Sequence, residues 1–167
     1  MTEQSTAAAW SIWSDGSSLG NPGPAGWAIL VRRPDDTSYT VLGNSGSETR
    51  TNSRAEMYGL LKAIKEIPEG DEPGTVYSDN QYVIGAATTW RAKWEKNGMK
   101  TSKREPVAND DLVKELWAAL DVRPGVRLEW VRGHSGVQEN ETVDQLCRWA
   151  AEQAKAGNSI ERFKKPA

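Results

Sequence analysis

The apolar residues of this chain first change their period near residue 50, and that switch restricts the folds open to it more than any other feature. Upstream lie three short strand-like runs, over residues 9–15, Ala25–Arg33 and Ser38–Gly46. Pro34-Asp35-Asp36-Thr37 between the last two is turn chemistry. Downstream, Met57, Leu60, Leu61, Ile64 and Ile67 recur at helical spacing and stop before Pro68. Ser53-Arg54-Ala55-Glu56 reads as a capping box at the start of that helix. Three strands with short links followed by an amphipathic helix predict an antiparallel meander with a helix laid across it.

The remaining pattern extends the sheet. Thr75–Ser78 reads as a short strand, Gln81–Ala87 and Trp90–Lys96 as short helices, and Asp110–Leu120 as a helix with Leu112, Val113, Leu116 and Leu120 on one face. Val126–Arg132 is a fifth strand, and Gly133-His134-Ser135-Gly136 follows it as a loop. A last helix over Glu139–Lys155 presents Val143, Leu146, Cys147, Ala150, Ala151 and Ala154 as its buried stripe. The order βββαβ, helices, βα predicts an α/β (α+β mixed) fold. Its five-stranded mixed sheet combines an antiparallel meander with parallel strands, and helices flank both faces. At 167 residues the chain is expected to form one domain with a real core. Residues 1–8 are expected to be a disordered N-terminus, 9–156 the folded domain, and 157–167 a polar tail.

Composition narrows the setting. No run approaches the roughly 18 apolar residues of a membrane span, and MTEQSTAAAW lacks the basic and apolar regions of a secretory signal. The single Cys147 excludes an intramolecular disulfide and fits a reducing compartment, so a cytoplasmic location is expected. Net charge is −2, so any nucleic-acid contact needs locally concentrated positive charge. One stretch supplies it with interleaved aromatics, from Trp90-Arg91-Ala92-Lys93-Trp94-Glu95-Lys96 to Lys100-Thr101-Ser102-Lys103-Arg104.

Four acids stand out by context. Asp15 follows Trp10-Ser11-Ile12-Trp13 and opens Asp-Gly-Ser. Glu56 opens the first helix, Asp79 follows Thr75-Val76-Tyr77, and Asp144 lies in the first turns of the last helix. Singly, each has an ordinary explanation: a turn residue, a helix cap, an N-cap and an exposed helix carboxylate. Together they can meet at one end of a sheet. Four carboxylates at one point cannot all stay ionised without a cation. The natural partner is a hard, oxygen-seeking divalent ion such as Mg2+, which is the chemistry of metal-assisted phosphodiester cleavage.

The strings around these acids resemble the signature blocks of type 1 ribonuclease H. They are SDGSSLGNPGPAGWAIL (14–30), RTNSRAEMYGL (50–60), YSDNQYVIGAATTW (77–90) and VRGHSGVQENETVDQLC (131–147), and they appear in the family's order and spacing. The resemblance covers roughly residues 9–155. It implies a ribonuclease H-like fold and endonucleolytic cleavage of the RNA strand of an RNA–DNA hybrid, leaving 5′-phosphate and 3′-hydroxyl ends. Two Mg2+ ions are implied, with Mn2+ as a substitute. Asp15 would bridge both, Asp144 would hold the ion that activates water, and Glu56 and Asp79 the ion on the leaving-group side. His134, the only histidine, would handle the leaving-group proton.

For the substrate, the resemblance assigns minor-groove contacts to Asn21, Asn52 and Gln81, with Ser18 nearby. Thr51 and Asn109 fall near the DNA backbone, and Trp90, Lys93, Trp94, Lys96 and Lys100 on a basic protrusion that grips the DNA strand. Met99 stands where the family often has an aromatic. The isoelectric point of about 5.6 suggests a weaker, more salt-sensitive grip. The short stretch before residue 9 leaves no room for an extra hybrid-binding domain, so low processivity is expected. No membrane and no obligate protein partner are expected, and the chain is expected to be a monomer. Two other readings stay open: a non-catalytic hybrid-binding module, and a DNA nuclease of the same fold. Retention of all four acids weighs against the first. The D-G-S-x-x-x-N-P-G-P-A-G and G-H-x-G blocks weigh against the second.

Overall fold

A computed structural model describes residues 8–167, so the expected disordered start lies almost wholly outside the described residues. The strands are β1 (Trp10–Ser18), β2 (Ala25–Arg32), β3 (Ser38–Asn44), β4 (Gly74–Ser78), β5 (Val126–Trp130) and β6 (Phe163–Pro166). The helices are α1 (Asn52–Glu66), α2 (Gln81–Ala87), α3 (Arg91–Lys96), α4 (Asp110–Asp121) and α5 (Gln138–Lys155). The strands form one sheet in the order β5-β4-β1-β2-β3-β6. β1, β2 and β3 make the predicted antiparallel meander, and β4 and β5 join in parallel beside β1.

The sheet carries an apolar core on each face. Ile12, Ile29, Val41 and Val76 pack with Met57, Leu60 and Ile64 of α1 and with Leu112, Val113 and Leu116 of α4. Trp13, Ala28, Leu30 and Leu42 pack on the opposite face against Val143, Cys147 and Ala150 of α5. This explains why β2 reads as a near-continuous apolar run: both of its faces are covered. Five of the eight tryptophans (Trp10, Trp13, Trp27, Trp94 and Trp117) are buried, whereas Trp130 and Trp149 are exposed.

Two expectations are corrected. The sheet has six strands, not five, because the expected polar tail supplies β6, antiparallel to β3. Every side chain of β6 is exposed. Its pairing rests on backbone hydrogen bonds, which leave no trace in side-chain periodicity. The preceding turn is tied to the body as well. Asn44 Nδ2 donates to Asn158 O at 2.9 Å, Ile160 N donates to Asn44 Oδ1 at 3.0 Å, and Arg162 pairs with Glu66 at 2.8 Å.

The second correction concerns the start of α1. The N-cap is Thr51, whose Oγ1 accepts from Arg54 N at 3.1 Å, so Ser53 lies inside the first turn and the expected capping box does not form. Glu56 therefore sits past the capping positions and is free for other work.

The topology brings the site together. β1 and β4 run parallel and stay paired from Trp10↔Gly74 to Trp13↔Tyr77. Just beyond that ladder stand Asp15 on β1 and Asp79 after β4. α1 rests directly on β1: a Cβ at Gly16 would lie 2.3 Å from the Ala55 carbonyl carbon. α5 does the same on the other face, where a Cβ at Gly26 would lie 2.3 Å from Cys147 O. These backbone-to-backbone contacts draw Glu56 and Asp144 to Asp15 from opposite sides of the sheet.

Candidate active site

Asp15 is the hub. It is not at a strand exit, as its sequence context suggests, but within β1, and only 5% of its surface is exposed. Its Oδ1 accepts from Gly16 N at 2.8 Å. Ligand atoms of Asp15, Glu56 and Asp79 all lie within 4.8 Å of one another, and so do those of Asp15, Asp144 and Cys147. Asp15 is common to both groups. The helix-capping role available to Asp79 belongs instead to Asn80, whose Oδ1 accepts from Val83 N at 3.1 Å.

Neighbours from β5 fix Asp79. The Trp130 indole N–H donates to its carbonyl at 3.1 Å, and Gly133 comes so close that a Cβ there would stand 3.0 Å from Asp79 Oδ2. Asp144 pairs with Arg148, one helical turn along α5.

The electrostatics of this cluster are unfavourable for anions alone. Burial, then the charges of Asp79 and Glu56, push the Asp15 carboxyl far above the ordinary range. Burial, then Asp79, raises Glu56 to about 7. Asp79 is raised by burial and then by Asp144, while His134 opposes the rise. Glu56 Oε2 is buried with no hydrogen-bond partner, a costly state for a carboxylate oxygen. Converging hard oxygen donors, one of them orphaned, fit a divalent metal ion.

Cys147 is a neighbour that the sequence pattern assigns only to the core. Its thiol donates to Asp144 O at 3.2 Å, and burial, then nearby carboxylates, push its pKa up. A protonated thiol in that setting packs rather than ligates.

His134 is exposed in the loop after β5, with a left-handed backbone (φ 55°). On the α1 side, an amide relay orders the loop after β1. Asn52 N donates to Asn21 Oδ1 at 3.0 Å, and Ser18 N donates to Asn52 Oδ1 at 3.1 Å. Both carbonyl oxygens are thereby used, and the exposed Asn21 and Asn52 keep their NH2 groups for another molecule. Ser18 Oγ donates to Gly20 O at 2.6 Å, and Gln81 is exposed at the first position of α2. Thr51 and Asn109 face each other across Arg54, which touches both.

The basic stretch divides. Lys93, Lys96 and Lys100 are exposed, and Trp90 is partly so. Trp94 is 7% exposed, belongs to the core and braces Trp90 at 5.6 Å between ring centroids. The expected two-tryptophan surface therefore reduces to Trp90, with Tyr82 beside it at 5.5 Å. A cavity of about 380 Å³ under Trp27 and Tyr58 contains none of the four carboxylates.

Residues 7–152 match the family model for RNase H. Ribonuclease H of Paracoccus denitrificans (strain Pd 1222) is 42% identical over 138 residues, covering 81% of this chain and 88% of that protein. Among solved structures, LC9-RNase H1, a type 1 RNase H with the type 2 active-site motif, superposes with a TM-score of 0.75. It is 23% identical, and the match covers 95% of this chain and 80% of that one. LC11-RNase H1 in complex with RNA/DNA hybrid superposes at 0.64 with 18% identity, over 87% of this chain and 99% of that one.

Proposed function

The chain belongs to the RNase H family and is accordingly an endonuclease that hydrolyses the RNA strand of RNA–DNA hybrids; we propose that it does so with two magnesium ions held by Asp15, Glu56, Asp79 and Asp144. The observation that carries this reading is the convergence of four acids from β1, α1, the end of β4 and α5, none of which caps a helix or closes a turn. When bound, such ions stabilise the entering and leaving oxygens of an in-line displacement and lower the pKa of bound water.

The chain's own residues set the geometry. Asp15, common to both clusters, would be the ligand they share. Glu56 and Asp79 would hold an ion with it in one cluster and Asp144 in the other. His134, exposed beside Asp79, donates the proton that the departing 3′-oxygen needs. It is not required to bind substrate, so its loss slows the reaction without abolishing it.

Recognition rests on groups around this site. The free amide donors of Asn21 and Asn52, with Gln81, suit the 2′-hydroxyls and base acceptors of a shallow minor groove. Thr51 and Asn109 suit a phosphate of the DNA strand. Trp90 offers a face to a deoxyribose, with Lys93, Lys96 and Lys100 supplying the phosphate contacts.

A strand-specific assay on a labelled hybrid, with duplex DNA and duplex RNA as controls, tests this. RNA-strand cleavage that needs Mg2+ or Mn2+ and leaves 5′-phosphate ends is expected. Folded protein that leaves the hybrid intact under those conditions refutes the reading.

A further inference from the structure

Arg54 holds the centre of a hydrogen-bond fork that the catalytic reading leaves unused. Its backbone N–H donates to Thr51 Oγ1 at 3.1 Å. Its Nη1 donates to Asn109 Oδ1 at 3.2 Å and to Asp111 Oδ1 at 3.0 Å, while Nη2 donates to Asp111 Oδ2 at 2.7 Å. The guanidinium thus ties α1 to the first turn of α4 and holds Asn109, while Thr51 is held by the main chain of the same residue. We propose that the Arg54 side chain is a positioning group: its guanidinium fixes Asn109 as a hydrogen-bond donor aimed, beside Thr51, at a DNA-strand phosphate. This rests on the hybrid-cleaving function argued above.

The chemistry of the two side chains carries the inference. A hydroxyl and an amide can each donate or accept, and a phosphate takes only donors. Thr51 Oγ1 accepts from Arg54 N, so its own hydrogen is left for another acceptor. Asn109 has its carbonyl oxygen on Arg54, so its NH2 group points the other way. A comparison within the molecule sharpens this. Asn80 and Asn109 occupy the same N-cap position on α2 and α4. Asn80 caps its helix through Oδ1, whereas Asn109 makes no side-chain cap and adopts a left-handed backbone at φ 58°. Its amide has been taken from the usual structural role.

Asp111 completes the device. It engages the guanidinium bidentately, the strong and directional form of the pair, and Arg54 holds the Asp111 carboxyl down to about 2. The pairing makes Arg54 a poor phosphate ligand, because its charge is neutralised and its two Nη groups are committed. Arg54 is therefore inferred to act through Asn109 rather than by direct contact.

The test uses hybrids carrying a single neutral methylphosphonate link, moved along the DNA strand one position at a time. Initial rates give KM and kcat, with thermal unfolding of each variant measured alongside. For the parent protein, one link position is expected to raise KM roughly tenfold, the loss of a charge-assisted contact. Asn109→Ala should raise KM for the all-phosphate hybrid by a similar factor and abolish the sensitivity to that link. Arg54→Lys and Asp111→Asn should do the same with kcat little changed, since neither can hold the fork.

A direct charge contact predicts the reverse. Arg54→Lys would keep the link profile, and Asp111→Asn, by freeing the cation, would lower KM. Either result overturns the proposal. So does a parent-like link profile in variants that lose only thermal stability. A parent enzyme that cleaves hybrid but ignores every link position removes the phosphate contact and the proposal with it. Failure to cleave any hybrid instead removes the functional reading beneath it.

Discussion

Stripping the protein of divalent metal and raising the pH should turn the carboxylate cluster into a measurable load on the fold. Glu56 is the clearest case. Its carboxyl is pushed from 4.5 to about 7, by burial first and by the Asp79 charge second. The unfolded chain keeps the ordinary value, so the folded protein holds this proton more tightly. The stability so gained is fully present below about pH 4.5 and is lost as the pH rises through 7. At about 1.4 kcal/mol per pH unit, this one group contributes roughly 3 kcal/mol. Asp15 and Asp79 are raised as well and act in the same direction.

For a domain of this length, 1 kcal/mol moves Tm by about 2–4 °C, so Tm in EDTA should fall by on the order of 10 °C between pH 5 and pH 8.5. Glu56→Gln removes the titrating group and should flatten that fall, leaving the variant more stable than the parent at pH 8. Asp111, held down to about 2, has the opposite sign. Its contribution is present above the ordinary carboxylate range and fades only in acid, outside the interval. Thermal unfolding followed by circular dichroism across this pH range reads the effect, and added Mg2+ should restore most of the parent's loss. A Glu56→Gln profile as steep as the parent's, or a parent that gains stability toward pH 8.5, would refute the reasoning.

Asp79→Asn should reduce RNA-strand cleavage by about three orders of magnitude or more while a gel-shift assay still shows hybrid binding; retained turnover would contradict its place in the site. Trp94→Ala should cost about 3–5 kcal/mol in urea unfolding, as an emptied core site does. Trp90→Ala should instead raise KM for the hybrid with a smaller loss of stability, so a reversal of the two effects would show that the wrong ring has been placed in the core. Deleting residues 163–167 exposes the edge of β3. It should lower stability by about 1–3 kcal/mol and raise light scattering on concentration, because an unpaired edge recruits other chains; unchanged behaviour would mean that β6 adds nothing.

What could be read in the sequence divides along a physical line. The meander, α1 and α5 were legible because burial of a face imposes a period on side chains, as Met57, Leu60, Leu61 and Ile64 show. β6 was not, because its four residues bury nothing and are held through the main chain. The acids were legible as a set, but their local settings were not. Ser53 and Thr51 are both good caps, and only the packing of α1 on β1 decides between them. Arg148 follows Asp144 at helical spacing and was open to discovery by that spacing alone. Arg54, Trp130 and Cys147 had no such signal. Asp111 and Asp79, the partners of the first two, and Asp15, which Cys147 meets across the sheet, lie far away in sequence, and sequence spacing carries no information about a contact made by tertiary packing.

The local settings matter most for what the four acids are for. Each had an ordinary structural role available, and in three cases the fold gives that role to another residue or removes it. Thr51 caps α1, Asn80 caps α2, and Asp15 lies within a strand rather than a turn. Of the four, Asp144 alone has a salt-bridge partner among the described residues, Arg148. A chain selected only for stability would have apolar or amide groups at these buried positions, since burial of unpaired charge costs several kcal/mol per group. Mutual repulsion in a partly buried cluster is therefore the signature of a site completed by cations. It also explains why the same substitutions that end catalysis should strengthen the metal-free fold: function and stability pull on one set of oxygens in opposite directions.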